Sequence, residues 1–225
     1  MQIELDERLK AKLNSGREFR MTQDFEIRKP KEGEEQKKIV RGYATTFNQE
    51  YLLYDWGDYK VFEQVDRHAF DECDMSDVIM QYDHMGRVFA RNKNGTLQLG
   101  PDDIGLGIEA DLSGTDLGGQ VYEEIKGGYT TKMSMAFTVG EDERTVKENK
   151  ETNVVEVHRK ITKVKKLFDV SAVSYPANDM TSISARQFSE GVIEELKQER
   201  LRAKAEAREA QIAKLRLRIR TIMEE

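Results

Sequence analysis

Three short segments of the chain carry side chains that could together activate a nucleophile. A strand-like, mostly apolar run ends on His84, with a glycine turn after it. A second run places Ser134 between two methionines, and a third, strongly apolar run contains the single carboxylate of Asp169. A serine hydroxyl attacks a carbonyl only when a base such as imidazole takes its proton, and a carboxylate commonly orients that base. The three residue types therefore suit acyl-transfer chemistry.

Each of these residues also has an ordinary structural explanation when taken alone. A lone histidine is more often structural than catalytic, and a small serine between bulky residues can simply fill space in a core. Asp169 is costly to bury without a partner, but a backbone group or an arginine would serve as well as a histidine. The segment around Ser134 also lacks the Gly-x-Ser-x-Gly turn of the α/β hydrolases.

The elements that would position these residues are mostly strands. Between residues 38 and 186, short β-prone runs alternate with clusters of Gly, Asn and Asp. In the run 105–112 apolar residues alternate with other residues, which is typical of a half-buried strand. The candidate strands are Ile39–Phe47, Val78–Tyr82, Gly105–Leu112, Lys132–Val139, Val154–Lys160 and Ile161–Ser174.

One helix is predicted directly before the strand that carries Ser134. Leu117, Val121 and Ile125 recur at helical spacing, and Gly127-Gly128 follows as a stop signal. Many short strands with few helices predict an α+β fold, mainly an antiparallel β-barrel flanked by helices, with a long C-terminal helix.

The two ends of the chain differ from its middle in composition. Residues 1–38 are polar and charge-rich and are expected to form an N-terminal arm, followed by a barrel domain over 39–188. Residues 189–225 are predicted to form an amphipathic helix, because apolar residues recur there at 4-3-4-3 spacing and would form a narrow stripe along one side of it. The segment contains no proline. Residues 200–220 contain eight Lys or Arg and two Glu, so the net charge of this segment is about +6 and that of the remainder is about −12. This asymmetry favours docking to a partner or simple solvation over specific nucleic-acid binding.

Composition narrows the remaining classes of protein. Cys73 is the only cysteine, so no intrachain disulfide forms, and a soluble protein of a reducing compartment is expected. No apolar run approaches the length of a membrane span. His68, His84 and His158 lack the short ligand spacing of the common zinc motifs, so we expect neither a metal nor a cofactor.

Taken together and in order, the motifs resemble one protein family. A histidine-bearing strand is followed by Asp-Asp-Ile-Gly-Leu at 102–106 and by a helix, then by Met-Ser-Met-Ala-Phe at 133–137. Asp-Val-Ser-Ala-Val-Ser-Tyr-Pro-Ala-Asn at 169–178 and Thr-Ser-Ile-Ser-Ala-Arg at 181–186 complete the series. From about residue 42 to 186, the chain resembles the prohead (capsid maturation) serine proteases of tailed phages, a family related to the herpesvirus assemblins.

The resemblance implies a β-barrel serine endopeptidase that removes scaffold or capsid-protein propeptides, and segments of itself, inside the prohead in the host cytoplasm. Ser134 matches the family nucleophile and His84 its base. Asp169 stands where the family commonly has Glu, and the Asp83-His84 order departs from the usual His-Asp. His158 competes with Asp169 for the third role, because assemblins use a second histidine there.

Other features of the reaction and the partners stay open at this stage. Arg87 and Arg159 are candidates for stabilising the oxyanion. The expected partners are the major capsid protein or scaffold protein as substrate, with a homo-oligomer left open and no membrane partner. The rival interpretations are a non-catalytic capsid assembly or scaffold protein, which the charged ends would suit, and a β-barrel binding module without enzymatic activity.

Overall fold

The computed structural model describes residues 15–29, 32, 37–149, 151–173 and 179–223. Two compact units divide the chain, the first covering residues 1–186 and the second covering 187–225. Eleven strands and two α-helices lie in the described residues, which makes the protein α+β. The long C-terminal helix predicted from the sequence is confirmed.

A seven-stranded mixed sheet forms the larger layer of the first unit. Its order is β1-β10-β11-β5-β4, and β6 also pairs with β11 and carries β7. Strands β5 and β6 run parallel to β11, whereas the other pairs are antiparallel. The strands are β1 (Glu18–Asp24), β4 (Tyr51–Asp55), β5 (Tyr59–Val65), β6 (Ile79–Tyr82), β7 (Met85–Arg91), β10 (Lys132–Asn149) and β11 (Val154–Val173).

A second, four-stranded antiparallel sheet has the order β2-β3-β9-β8. Its strands are β2 (Glu26–Ile27), β3 (Ile39–Thr46), β8 (Leu97–Pro101) and β9 (Gly105–Asp111). The alternation predicted for β9 is confirmed, because Leu106, Ile108 and Ala110 are buried in the core while the residues between them are partly exposed. A side chain at Gly105 would collide with the Thr45 carbonyl oxygen, so the ladder between β3 and β9 requires a glycine there.

The prediction of a closed barrel is wrong. In the described part of the chain the strands form two sheets that do not close into one barrel, and an isolated parallel bridge between Phe47 and Val65 joins the end of β3 to β5. The runs predicted as Val154–Lys160 and Ile161–Ser174 form one strand, β11, and β10 extends ten residues beyond the predicted end at Val139. Register shifts interrupt their pairing at four places between Ala136 and Asp142, and such bulges bend and twist a hairpin.

Helix α1 (Asp116–Lys126) leads into β10 as predicted. The Thr115 side chain caps its first turn by accepting a hydrogen bond from the Gly118 N–H at 3.0 Å. Gly128, with a φ of +75°, then reverses the chain in the left-handed region after the helix ends. Helix α2 (Asp179–Met223) begins earlier than the sequence pattern indicated. Neither described helix is long and apolar enough to span a membrane.

Part of the segment expected to be an N-terminal arm has regular structure. Strands β1 and β2 lie within residues 1–38, and β1 pairs with β10, the strand that carries Ser134. Phe19 and Arg20 of β1 are almost completely buried. The division of the chain at residues 38 and 188 stays a prediction.

Candidate active site

Two of the predicted site residues lie on one hairpin. In the antiparallel pairing of β10 with β11, Ser134 lies opposite Ser171 and Ala136 lies opposite Asp169. Directly opposed residues project from the same face of a sheet, so Ser134 and Asp169 share a face as diagonal neighbours. Met133 and Met135 project from the other face into the hydrophobic core, which fixes the register of this strand.

His84 reaches this face from a tight turn between β6 and β7. Strand β6 lies parallel to β11, with Ile79 beside Asp169, and Asp83 donates its backbone N–H to the Ala172 carbonyl oxygen at 2.8 Å. Asp83 and His84 have φ values of +47° and +57°, a left-handed conformation that is uncommon for residues other than glycine but is adopted more often by Asn, Asp and His than by most. The sequence pattern placed the turn after His84, whereas in the structure His84 is part of the turn. Backbone strain of this kind concentrates at functional sites.

The imidazole of His84 joins the two strand residues in a chain of hydrogen bonds. Its Nδ1 lies 2.6 Å from Oδ1 of Asp169, and its Nε2 lies 2.8 Å from Oγ of Ser134. Because a carboxylate only accepts hydrogen bonds, Nδ1 donates to Asp169 and Nε2 is left to accept from the Ser134 hydroxyl. This is the geometry in which a histidine can take the proton of a serine nucleophile.

All three side chains are enclosed. His84 and Ser134 have no exposed surface, and Asp169 is 2% exposed. The edge of the Phe19 ring meets His84 with ring centroids 4.8 Å apart. Enclosure strengthens the electrostatic interactions among these groups. It also means that a peptide carbonyl reaches Ser134 only after neighbouring groups have moved apart.

Three residues of this site were not predicted from the sequence. Ser171 donates to Oδ1 of Asp169 at 2.7 Å, Phe19 touches His84, and the Arg17 guanidinium lies 3.7 Å above the Phe168 ring. Partial burial lowers the pKa of Arg17, and the nearby Asp169 carboxylate opposes that shift. The sequence signal for β1 was the alternation of Phe19 and Met21 with charged residues. The signal for Ser171 was its position two residues after Asp169, which puts both side chains on the same face of a strand.

The alternative residues lie in other surroundings. His158 donates from Nδ1 to Oε1 of Glu50 at 2.7 Å, and its ring stacks on Phe62. Arg87 is exposed on β7. The motif residues 174–178 lie outside the described residues.

Arg159, a candidate for stabilising the oxyanion, belongs to a buried ion-pair cluster. This cluster lies on the face opposite Ser134, since Arg20 projects from the other side of β1 than Phe19. Arg159 binds Glu63 at 2.8 Å and Glu18 at 2.7 Å, and Arg20 binds Glu63 at 2.5 Å. Burial alone would raise the pKa of Glu63, but the two arginines outweigh it and lower this pKa to about 2. The donors of Arg159 are thus engaged by carboxylates, and a role at the oxyanion is not supported.

The chain was compared with known protein families. The sequence model of the family described as caudovirus prohead serine protease matches residues 23–197. The match covers His84, Ser134 and Asp169 together with most of the first unit. No curated protein and no solved structure matches the chain significantly.

Proposed function

The chain belongs to the caudovirus prohead serine protease family, and on that basis we propose that it is a serine endopeptidase with Ser134 as nucleophile, His84 as base and Asp169 as the group that orients His84. The family is one of serine peptidases in bacteriophage capsid maturation. The observation that carries the residue assignment is the hydrogen-bond chain from Ser134 through His84 to Asp169, with lengths of 2.8 and 2.6 Å.

In the proposed reaction, Oγ of Ser134 attacks the carbonyl carbon of the scissile bond while Nε2 of His84 takes the hydroxyl proton. Asp169 accepts from Nδ1 throughout, which holds the imidazole in place and stabilises its charged form. His84 then gives the proton to the departing amine, and an acyl-enzyme remains on Ser134. Water then attacks the acyl carbon while Nε2 takes one of its protons, and Nε2 returns that proton to Oγ of Ser134 as the bond from Oγ to the acyl carbon breaks. The acyl group leaves as a carboxylic acid, and Ser134 and His84 return to their starting states.

The proposed substrates are scaffold or capsid-protein propeptides and the termini of the protease itself, cleaved inside the prohead in the host cytoplasm. Helix α2 would serve assembly instead of catalysis. Leu201, Ile212 and Leu215 are exposed along it, and basic residues surround them. An apolar stripe flanked by positive charge suits a helix that docks on an acidic protein partner or on a second copy of itself.

The decisive experiment is intact-mass analysis after treatment with a fluorophosphonate probe. We expect one adduct per chain, located on Ser134 by peptide mapping, and no adduct in Ser134→Ala. Ser76→Ala is the matched control, because Ser76 donates to the Asp74 carboxylate at 2.6 Å at an exposed position away from His84 and should not affect labelling. An adduct elsewhere, or wild-type cleavage by Ser134→Ala, contradicts the nucleophile assignment, and a wild type that is never labelled favours the non-catalytic assembly protein.

Self-cleavage is tested by incubating the wild type and Ser134→Ala and comparing fragment masses. We expect Ser134-dependent cuts before β3 or after residue 186. We expect no cuts in the interval 18–27, because the backbone hydrogen bonds of β1 and β2 to neighbouring strands keep this segment out of a protease cleft. Identical fragments from both proteins, or first cuts inside β3 to β11, would argue against self-processing.

A further inference from the structure

Within the described part of the chain, the side chains that bond the Asp169 carboxylate are those of His84 and Ser171. Its hydroxyl lies 2.7 Å from Oδ1, the same oxygen that accepts from Nδ1 of His84. Ser171 has no exposed surface and stands opposite Ser134 in the ladder between β10 and β11. One strand thus supplies both the carboxylate and a donor that fixes it.

We propose that Ser171 is a positioning residue of the protease, acting through Asp169. This inference rests on the proposed function, because it assumes that Asp169 orients His84 during catalysis. Oδ1 receives both donors, and together they restrict the rotation of the carboxyl group about its Cβ–Cγ bond. Without the Ser171 donor, the carboxylate can turn, and the hydrogen bond to Nδ1 loses its length and alignment.

The backbone register explains why Ser171 can act in this way. Residues at i and i+2 of a strand project from the same face, so Ser171 follows Asp169 at the spacing that brings its hydroxyl beside the carboxylate. The intervening Val170 belongs to the hydrophobic core on the opposite face and prevents the strand from slipping by one residue. Because the described hydrogen bond of Ser171 is to Asp169 and not to the proposed nucleophile, a positioning role should change kcat and leave KM unchanged.

The test compares Ser171→Ala with Ser171→Thr, which keeps the hydroxyl, and with Ser189→Ala as a control. Ser189 is also fully buried, and its hydroxyl has no hydrogen-bond partner in the described part of the chain, so its removal deletes one buried hydroxyl that is not bonded to Asp169. We expect Ser171→Ala to lower kcat by about 10- to 100-fold with KM unchanged, as for loss of a neutral donor to a charged group. Ser171→Thr should restore most of the rate, and Ser189→Ala should stay within about twofold of wild type.

A spectroscopic readout separates positioning from mere stability. The proton between Nδ1 of His84 and Asp169 should give a far-downfield NMR resonance, and this resonance should shift or broaden in Ser171→Ala but not in Ser189→Ala. If Ser171→Ala does not fold, Ser171→Cys keeps the volume with a weaker donor and carries the same expectation. A wild-type kcat and an unmoved resonance in these variants would overturn the proposal.

Failure of this inference is distinguishable from failure of the proposed function. If the wild type cleaves and Ser134 takes the probe, but the Ser171 variants are normal, only the positioning role is refuted. If the wild type neither cleaves nor takes up the probe, the proposed function fails, and the resonance then shows whether Ser171 still orders the Asp169 carboxylate.

Discussion

Replacing Asp169 with asparagine removes a charge from the site while keeping its size. In the wild type Nδ1 of His84 donates to Oδ1 at 2.6 Å, which leaves Nε2 free to accept the Ser134 proton. An asparagine amide can instead donate to Nδ1, and the imidazole proton then moves to Nε2. In that tautomer His84 donates towards Ser134 and cannot act as a base.

The size of the effect follows from two contributions. Attraction between an imidazolium and a carboxylate whose charge centres are about 4 Å apart is worth about 4 kcal/mol at an effective dielectric constant of about 20. Loss of that amount slows the reaction by about a thousandfold, and the wrong tautomer adds to it. The same substitution in the best-characterised Ser-His-Asp triad lowers kcat by about 10⁴-fold, so we expect a loss of about 10³- to 10⁴-fold for Asp169→Asn.

The assay is the second-order rate of fluorophosphonate labelling, which needs no knowledge of cleavage specificity. The kcat of cleavage on one protein substrate provides a second measure. Circular dichroism should show that Asp169→Asn keeps the wild-type fold, because the substitution preserves volume and at least one hydrogen bond at a buried position.

His158→Ala is the matched control, since His158 bonds Glu50 and stacks on Phe62 instead of facing His84. We expect its labelling rate to stay within about threefold of wild type, in line with a change distant from the reacting groups. A collapse in His158→Ala beside a near-normal Asp169→Asn would reverse the assignment of the third residue. Near-normal rates in both variants would mean that Ser134 and His84 act as a dyad.

Two further predictions concern the rest of the molecule. The side chains of residues 200–225 are exposed wherever they are described. Deleting these residues should leave probe labelling within about twofold of wild type but abolish incorporation into particles, measured by co-sedimentation with assembled proheads. Loss of labelling as well would mean that the helix is needed for the fold. Glu63→Gln should lower the free energy of unfolding by about 3–5 kcal/mol in urea titrations, because Arg20 and Arg159 lose the buried carboxylate that they share. Glu72→Gln removes a carboxylate from an exposed ion pair and should change the free energy of unfolding far less. The pKa of Glu63 is about 2 in the folded state, below its ordinary 4.5, so ionised Glu63 stabilises the fold at higher pH. The difference in free energy of unfolding between wild type and Glu63→Gln should therefore shrink as the pH falls from 4.5 to 2. A difference that stays constant over this range would refute the ionised state of Glu63.

The sequence was most informative where residue type and chemistry coincide. Asp169 stands out because a carboxylate inside an apolar run needs a partner, and His84 because few histidines are available. No local pattern shows that these two meet, since their contact joins residues 85 positions apart through a parallel pairing of β6 with β11. The resemblance to a family supplied that link, and the geometry is consistent with it.

The errors in the predicted fold have physical causes. The strand from Val154 to Val173 was divided because Lys and Arg interrupt its alternation, yet several of these side chains are held by ion pairs, such as Arg159 by Glu18 and Glu63. Strand β1 was not predicted because residues 1–38 are rich in charge, and the alternation of apolar and charged residues in β1 covers only the four positions 18–21. Barrel closure depends on how far β10 and β11 bend, and bulges that set such bending leave little trace in a single sequence.

The complete enclosure of Ser134 and His84 has a kinetic consequence. The observed rate of any acylation equals the intrinsic rate multiplied by the fraction of molecules in which the hydroxyl is uncovered. A fraction of one in a hundred would account for about 2.7 kcal/mol of the apparent barrier, without any change in the chemistry itself. Whatever binds the uncovered form, including a high local concentration of target chains, raises this fraction by mass action. If the proposed function holds, we expect low activity in dilute solution and higher activity among densely packed substrates, as two populations of the same folded chain.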